Sequence, residues 1–177
     1  MTLPPPFIEG STNINAIIET PKGSRNKYVF DENTHFFKLK KALPAGMVFP
    51  FDFGFIPSTI AEDGDPMDIL VLTDAATYPG CLVECQLLGV IKVEQKTSGK
   101  LVRNDRVIAV QLDSRLYSSV NHLDELPEGL VKEIVNFFAS YKQVSDEMFN
   151  YLGNDGPKVA LDLIHDCIRA NEKEQGA

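Results

Sequence analysis

Hydrophobic residues in the first two-thirds of the chain come in short runs broken by glycine, proline and aspartate. Seven such runs, 15–19, 27–31, 36–40, 49–55, 67–73, 81–94 and 101–111, read as β-strands. Strands this close, joined by short links, predict antiparallel pairing in a closed barrel or a strongly curled sheet. Phe49, Phe51, Phe53 and Phe55 recur at every second position, which predicts four rings on one core-facing side of a strand. The last third changes period. Leu130, Ile134, Phe137, Phe138 and Tyr141 recur at helical steps behind Pro127 and predict an amphipathic helix over 128–143. A second helix is expected from about Pro157, with Leu163, Ile164, Cys167 and Ile168 inward and a charged end from Asn171. Strands first and helices later is an α+β pattern, with helices packed on the barrel.

The 177 residues, 44% of them hydrophobic, suit one domain over 1–177. No stretch approaches the roughly 20 apolar residues of a membrane span, and the N-terminus lacks the basic and apolar regions of a signal peptide, so a cytoplasmic protein is expected. The net charge of −8 opposes a nucleic-acid partner held by a broad basic surface. A polyanionic substrate would need divalent cations as bridges. Cys81, Cys85 and Cys167 are odd in number, and a strand places the first two about 13 Å apart, beyond the roughly 7 Å limit of a disulfide. His35, His122 and His165 show no zinc-ligand spacing.

Candidate chemistry concentrates in Asp63-Gly64-Asp65-Pro66-Met67-Asp68. Gly64 permits a sharp bend, Pro66 fixes its own φ and extends Asp65, and the apolar run from Ile69 begins a buried strand. Three carboxylates on one stiff turn repel each other until a divalent cation binds them; the bland alternative is a polar turn built of common turn formers. Counting from Asp63 puts Met67 and Asp74 at ligand positions of a calcium loop, which argues against an EF-hand. Glu19, Lys27, Lys41, Tyr141 and Lys142 stand on predicted elements that could converge on the turn.

Further segments fall in a specific order: Ile18-Glu19-Thr20-Pro21, Lys27-Tyr28, Phe49-Pro50 with Phe53-Gly54-Phe55-Ile56, the acidic turn with Ile69, Gly89-Val90-Ile91-Lys92, and Phe137-Phe138 with Tyr141-Lys142. In that order and spacing the chain resembles family I soluble inorganic pyrophosphatases of bacterial type from about 15 to 168. The resemblance implies an OB-like five-stranded antiparallel β-barrel with extra strands and flanking C-terminal helices. It further implies hydrolysis of pyrophosphate to two phosphates with Mg2+, or with Mn2+ or another divalent ion, and a homo-oligomer, usually a hexamer. By the same resemblance Asp63, Asp65 and Asp68 hold metal, and Asp65 also serves the nucleophilic water as acceptor or base. Lys27, Lys41, Tyr141 and Lys142 would hold phosphate oxygens, and Glu19 would order the polar network. The demands of the reaction agree, since an activated water and charge neutralisation on both phosphoryl groups need metal and cations together.

Several positions depart from the family pattern. Val29 stands for a glutamate, Phe49 and Phe53 for tyrosines, and Lys41 for an arginine, which exchanges a planar fork for a point charge. Two aspartates of the family's metal cluster fall on Gln95 and Asn104, with Arg106 for a lysine as a further phosphate contact. The adjacent Glu94 or Asp105 is expected to take over a ligand role, given a bulge or remodelled loop over 95–103. Two readings stay open: an active enzyme with a modified site, or a catalytically weakened relative that binds metal, phosphate or a partner chain. Oligonucleotide binding on the barrel is disfavoured by the charge and by the lack of a basic groove with interleaved aromatics.

Overall fold

The apolar run after the acidic turn is buried on both faces, with Ile69 and Val71 entering one hydrophobic core and Leu70 and Leu72 another. The computed structural model describes residues 3–97, 99–143 and 148–176. Its elements in chain order are β1 (Ile14–Thr20), β2 (Asn26–Asp31), β3 (Phe36–Ala42), β4 (Asp52–Phe55), β5 (Asp68–Leu72), β6 (Leu82–Thr97), β7 (Lys100–Arg103), β8 (Arg106–Gln111), α1 (Leu130–Gln143), β9 (Phe149–Asp155) and α2 (Pro157–Gln175). Strands β1, β4, β5, β8 and β6 pair in that order, and β6 returns to β1, so five strands close on themselves. Side chains alternate across this sheet. Ile108 and Val110 join the core beneath α1, whereas Val107 and Ala109 join the core that receives Ile164 of α2.

One seam corrects the expectation of antiparallel pairing throughout: β5 and β8 run parallel, Ile69 opposite Val107 and Leu72 opposite Val110. The long excursion through β6 and β7 lies between them and returns the chain in its original direction. The run 101–111 is also two strands, because Asn104 and Asp105 interrupt it. Here Asn104 N donates to Val93 O, and the Asp105 side chain, in place of a backbone carbonyl, accepts from Val93 N at 2.9 Å. The sixth and longest strand expected, 81–94, extends on to Thr97 and pairs its outer half with both β7 and β9. Strand β9 was not foreseen, because Phe149-Asn150-Tyr151-Leu152-Gly153-Asn154-Asp155 lacks clean alternation.

Phe49, Phe51 and Phe53 enter the core beneath α1, and Phe55, two residues beyond Phe53 on the same face of β4 and opposite Asp68, stacks on Phe30 at 5.8 Å. Gly54 lies where β4 meets β1 so closely that a Cβ would stand 1.9 Å from Ile17 O. Helix α1 starts two residues later than the periodicity suggests, since Gly129 holds φ at +85°. It buries Ile134, Phe138 and Tyr141. Helix α2 begins at Pro157 as expected. Among the described residues the three cysteines are free, and no helix is long and apolar enough to cross a membrane.

Strands β2 and β3 form a two-stranded sheet of their own. Side chains of β1 tether it: Glu19 Oε1 accepts from Phe30 N at 2.7 Å, and Thr20 Oγ1 accepts from Tyr28 N at 3.0 Å. The hairpin thereby hangs over the rim where β5 and β8 begin.

Candidate active site

The acidic turn is held by its own backbone. Gly64, at φ +89°, donates to Ala61 O, Ala61 N donates to Asp65 O at 2.8 Å, and Asp65 N donates to Asp63 Oδ1 at 3.3 Å. Just ahead of β5, the buried Thr59 hydroxyl donates to Ile56 O at 2.6 Å and accepts from Met67 N at 3.0 Å. Asp68 therefore opens β5 from a fixed start. Asp63, Asp65 and Asp68 line one cavity of about 230 Å3 together with Lys27, Lys41, Arg106, Tyr141 and Lys142. A wider cleft of about 1060 Å3 shares Lys27, Asp65 and Asp68 with it and adds Glu19 and Val29.

Burial dominates the electrostatics. It pushes the Asp63 carboxyl up to about 6, with repulsion from Asp68 and Asp65 adding to the shift. It raises Asp68 as well, against the pull of Arg106 and Lys27. Glu19 is pushed up to about 7, again by burial first, despite the Phe30 amide and Lys27. Lys27 is lowered by burial, with Asp68 and Glu19 opposing. These are charges taken from water and only partly compensated.

The cations come from three directions. The register of the β2–β3 hairpin sets Lys27 directly opposite Lys41, a like-charge pairing that an anion between them would relieve. Both ammonium groups lie over the Tyr141 ring, at 5.7 and 4.6 Å from its centre. Arg106, only 3% exposed, reaches the cavity from β8 with its guanidinium 4.4 Å from the Phe138 ring and 5.7 Å from that of Phe149. Its Nη1 donates to Asn104 O at 3.0 Å, and its Nη2 stands 3.6 Å from Asp68 Oδ2.

The donor set suits a divalent cation. Gln95 Oε1 is buried on the cavity wall with no hydrogen-bond partner among the described residues, and with the three carboxylates it makes the all-oxygen set that Mg2+ or Mn2+ prefers. No three acidic, histidine or cysteine side chains among the described residues converge tightly enough to enclose an ion by themselves.

The family described as inorganic pyrophosphatase matches residues 16–172. The chain belongs to the inorganic pyrophosphatase family. It is 36% identical over 162 residues to the inorganic pyrophosphatase of Geobacillus stearothermophilus, covering 91% of this chain and 96% of that one. To that of Methanosarcina acetivorans it is 35% identical, covering 86% and 89%. The crystal structure of the inorganic pyrophosphatase from Thermus thermophilus superposes with a TM-score of 0.88 at 33% identity, covering 97% of each chain.

Within this inorganic pyrophosphatase scaffold, Gln95 and Asn104 do line the cavity, and both turn their amide nitrogens to the same oxygen, Asp63 Oδ2, at 3.4 and 2.6 Å. Asp105, expected as a metal ligand, faces elsewhere. Its carboxylate takes a two-pronged contact from Arg103 and the Val93 amide, because Asp105 replaces a ladder acceptor where β7 ends. Glu94 lies on the outer side, accepting from Asn150 at 3.3 Å. Neither lines the cavity. Glu19 sits in the wider cleft, one step from Lys27. Two features had no sequence signal strong enough to find them: the Phe138–Arg106–Phe149 clamp, because β9 was unforeseen, and Lys40, which lines both spaces within the cationic run at the end of β3.

Proposed function

We infer that this chain is an inorganic diphosphatase that hydrolyses pyrophosphate to two orthophosphates. The observation that carries this reading is the meeting of three turn carboxylates with Lys27, Lys41, Arg106, Tyr141 and Lys142 in one small cavity, in a chain of this family. Lys27 and Lys41 grip one phosphoryl group across the hairpin, while Lys142 and the Tyr141 hydroxyl hold the other, so that the bridging oxygen lies between them. Asp65, the exposed acid of the turn, accepts the proton of the attacking water as its oxygen bonds to phosphorus. The bond from that phosphorus to the bridging oxygen breaks, and the electron pair leaves with the second phosphate, whose charge Arg106 and the lysines stabilise. Glu19 holds the hairpin through Phe30 N and keeps Lys27 in place. A divalent ion held by Asp63, Asp65 and Asp68, Mg2+ with Mn2+ as alternative, supplies Lewis-acid charge and lowers the pKa of bound water.

The same reading takes the five closed strands as an OB-like barrel, residues 1–177 as one domain, and the protein as a cytoplasmic homo-oligomer, hexameric by resemblance. Phosphate release from pyrophosphate with and without Mg2+, beside Asp65→Asn, tests it: Mg2+-dependent release lost in the variant supports the enzyme, and no release from folded wild type refutes it. A second reading, a weakened relative that retains binding, is favoured by one observation, the two neutral amides facing Asp63. The same assay separates the two.

A further inference from the structure

Pyrophosphate accounts for the small cavity but not for the wider cleft beside it. The two spaces share Lys27, Lys40, Phe53, Asp65 and Asp68, so they are continuous, whereas Lys41, Arg106, Tyr141 and Lys142 line the small one alone. At about 1060 Å3 the cleft stands at the upper end of small-molecule sites, roughly 300–1000 Å3. Part of its wall is apolar. Val29 and Phe30 of β2 line it with Ile168 of α2 and with Phe55 of β4, whose ring stacks on Phe30 at 5.8 Å. Val29 is the residue that stands for a family glutamate, so two positions from Lys27 this chain offers a hydrocarbon surface in place of a carboxylate. The rim, by contrast, is acidic. Glu32, Glu172 and Glu174 line the cleft as exposed side chains, while Asp31 is paired with Lys38.

We propose that this cleft seats the organic group of a diphosphate monoester, a flat ring carrying positive charge, and that the chain cleaves such esters at their terminal phosphorus as well as pyrophosphate. The proposal rests on the reading that the small cavity takes a diphosphate. The ester-bearing phosphoryl group lies at Lys27, which borders both spaces, and the terminal one toward Tyr141 and Lys142, which border the small cavity alone. A water oxygen bonds to the terminal phosphorus and its proton passes to Asp65. The bond from that phosphorus to the bridging oxygen breaks, and the electron pair leaves with the phosphate monoester, orthophosphate being the other product. The ring rests on the Val29, Phe30 and Phe55 side of the cleft, where an aromatic face within about 6 Å attracts a cation, and its charge meets the glutamates of the rim. The same glutamates repel an organic group of negative charge, so the rim selects as well as attracts.

Release of orthophosphate and of the monophosphate from thiamine diphosphate, whose thiazolium ring is cationic, tests this with the full chain in Mg2+, beside pyrophosphate and beside uridine diphosphate, whose ring is neutral. Thiamine diphosphate is expected to be cleaved with kcat/KM about 10-fold above that of uridine diphosphate. The double variant Glu32→Lys, Glu172→Lys, changed only at exposed positions, should lose this preference without lowering release from pyrophosphate, which also serves as the control for folding. No cleavage of thiamine diphosphate by a wild type that hydrolyses pyrophosphate overturns the proposal while the enzymatic reading stands. Equal kcat/KM for the two esters, or a preference untouched by the charge reversal, also overturns it. Cleavage of neither pyrophosphate nor ester refutes the enzymatic reading and the proposal with it.

Discussion

Asp68 and Arg106 are the first residues of two adjacent parallel strands, and this places a carboxylate oxygen 3.6 Å from a guanidinium nitrogen at one rim of the closed sheet. Thirty-eight positions of sequence separate them, so neither local spacing nor periodicity relates one to the other. The parallel seam does, because Ile69 registers on Val107 and the residues before them fall side by side. The acid proposed to hold metal and the cation proposed to hold phosphate are thus built into one ladder.

Removing the charge of Asp68 while keeping its shape should damage chemistry more than fold. Asp68→Asn is expected to lower Mg2+-dependent phosphate release by about 100-fold or more. Far-UV circular dichroism should be unchanged, and release close to that of wild type would contradict the ligand role.

Glu19 should leave a signature in stability against pH. Its carboxyl lies at about 7 in the fold against an ordinary value of 4.5, so between these values the folded chain keeps a proton that the unfolded chain has lost. This contribution is fully present below the unfolded value and disappears as pH rises through the folded one. In EDTA, the gap in urea midpoint between wild type and Glu19→Gln should therefore move against wild type between about pH 5 and about pH 7.5. A gap constant with pH would remove the basis for the shift.

Asp105 and Glu94 should be silent in metal binding. Asp105→Asn and Glu94→Gln are expected to keep wild-type Mn2+ stoichiometry by equilibrium dialysis. Asp105→Asn should lower the thermal midpoint, because the Arg103 fork and the Val93 amide lose a charged acceptor. A lost ion in either variant would restore the role first expected of these acids.

Asp52 should matter to the fold alone. Fully buried at the start of β4, it accepts from Lys22 N at 2.7 Å, Thr77 N at 3.1 Å and Thr73 Oγ1 at 3.3 Å. Asp52→Ala strands these donors and should cost about 2–4 kcal/mol, read as a drop of several degrees in the thermal midpoint. The KM for pyrophosphate should hold; a large rise in it would place Asp52 in the site.

Much of this was readable from the chain. The acidic turn announced itself by composition and by the apolar run behind it, and α1 and α2 by their period. Gln95 and Asn104 were placed at the metal cluster by resemblance, and both line the cavity. Parallel pairing of β5 and β8 is a property of the return path, which alternation within a strand does not encode. Asp105 was misplaced because adjacency in a strand-like run concealed the break at Asn104, after which one carboxylate does the work of a ladder carbonyl. Strand β9 is polar and borrows its order from β6.

Strand β5 is a wall shared by two cores, with Leu70 and Leu72 on one side, Ile69 and Val71 on the other, and Asp68 at its head. Selection on this segment cannot separate robustness from activity. A substitution that loosens either core tilts the same short stretch of backbone and carries the head residue with it, so the genetic tolerance of these four apolar positions is set by the chemistry at the rim as much as by packing. Neutral drift should accumulate instead on the outer positions of β3 and β9, whose side chains lean on neither core.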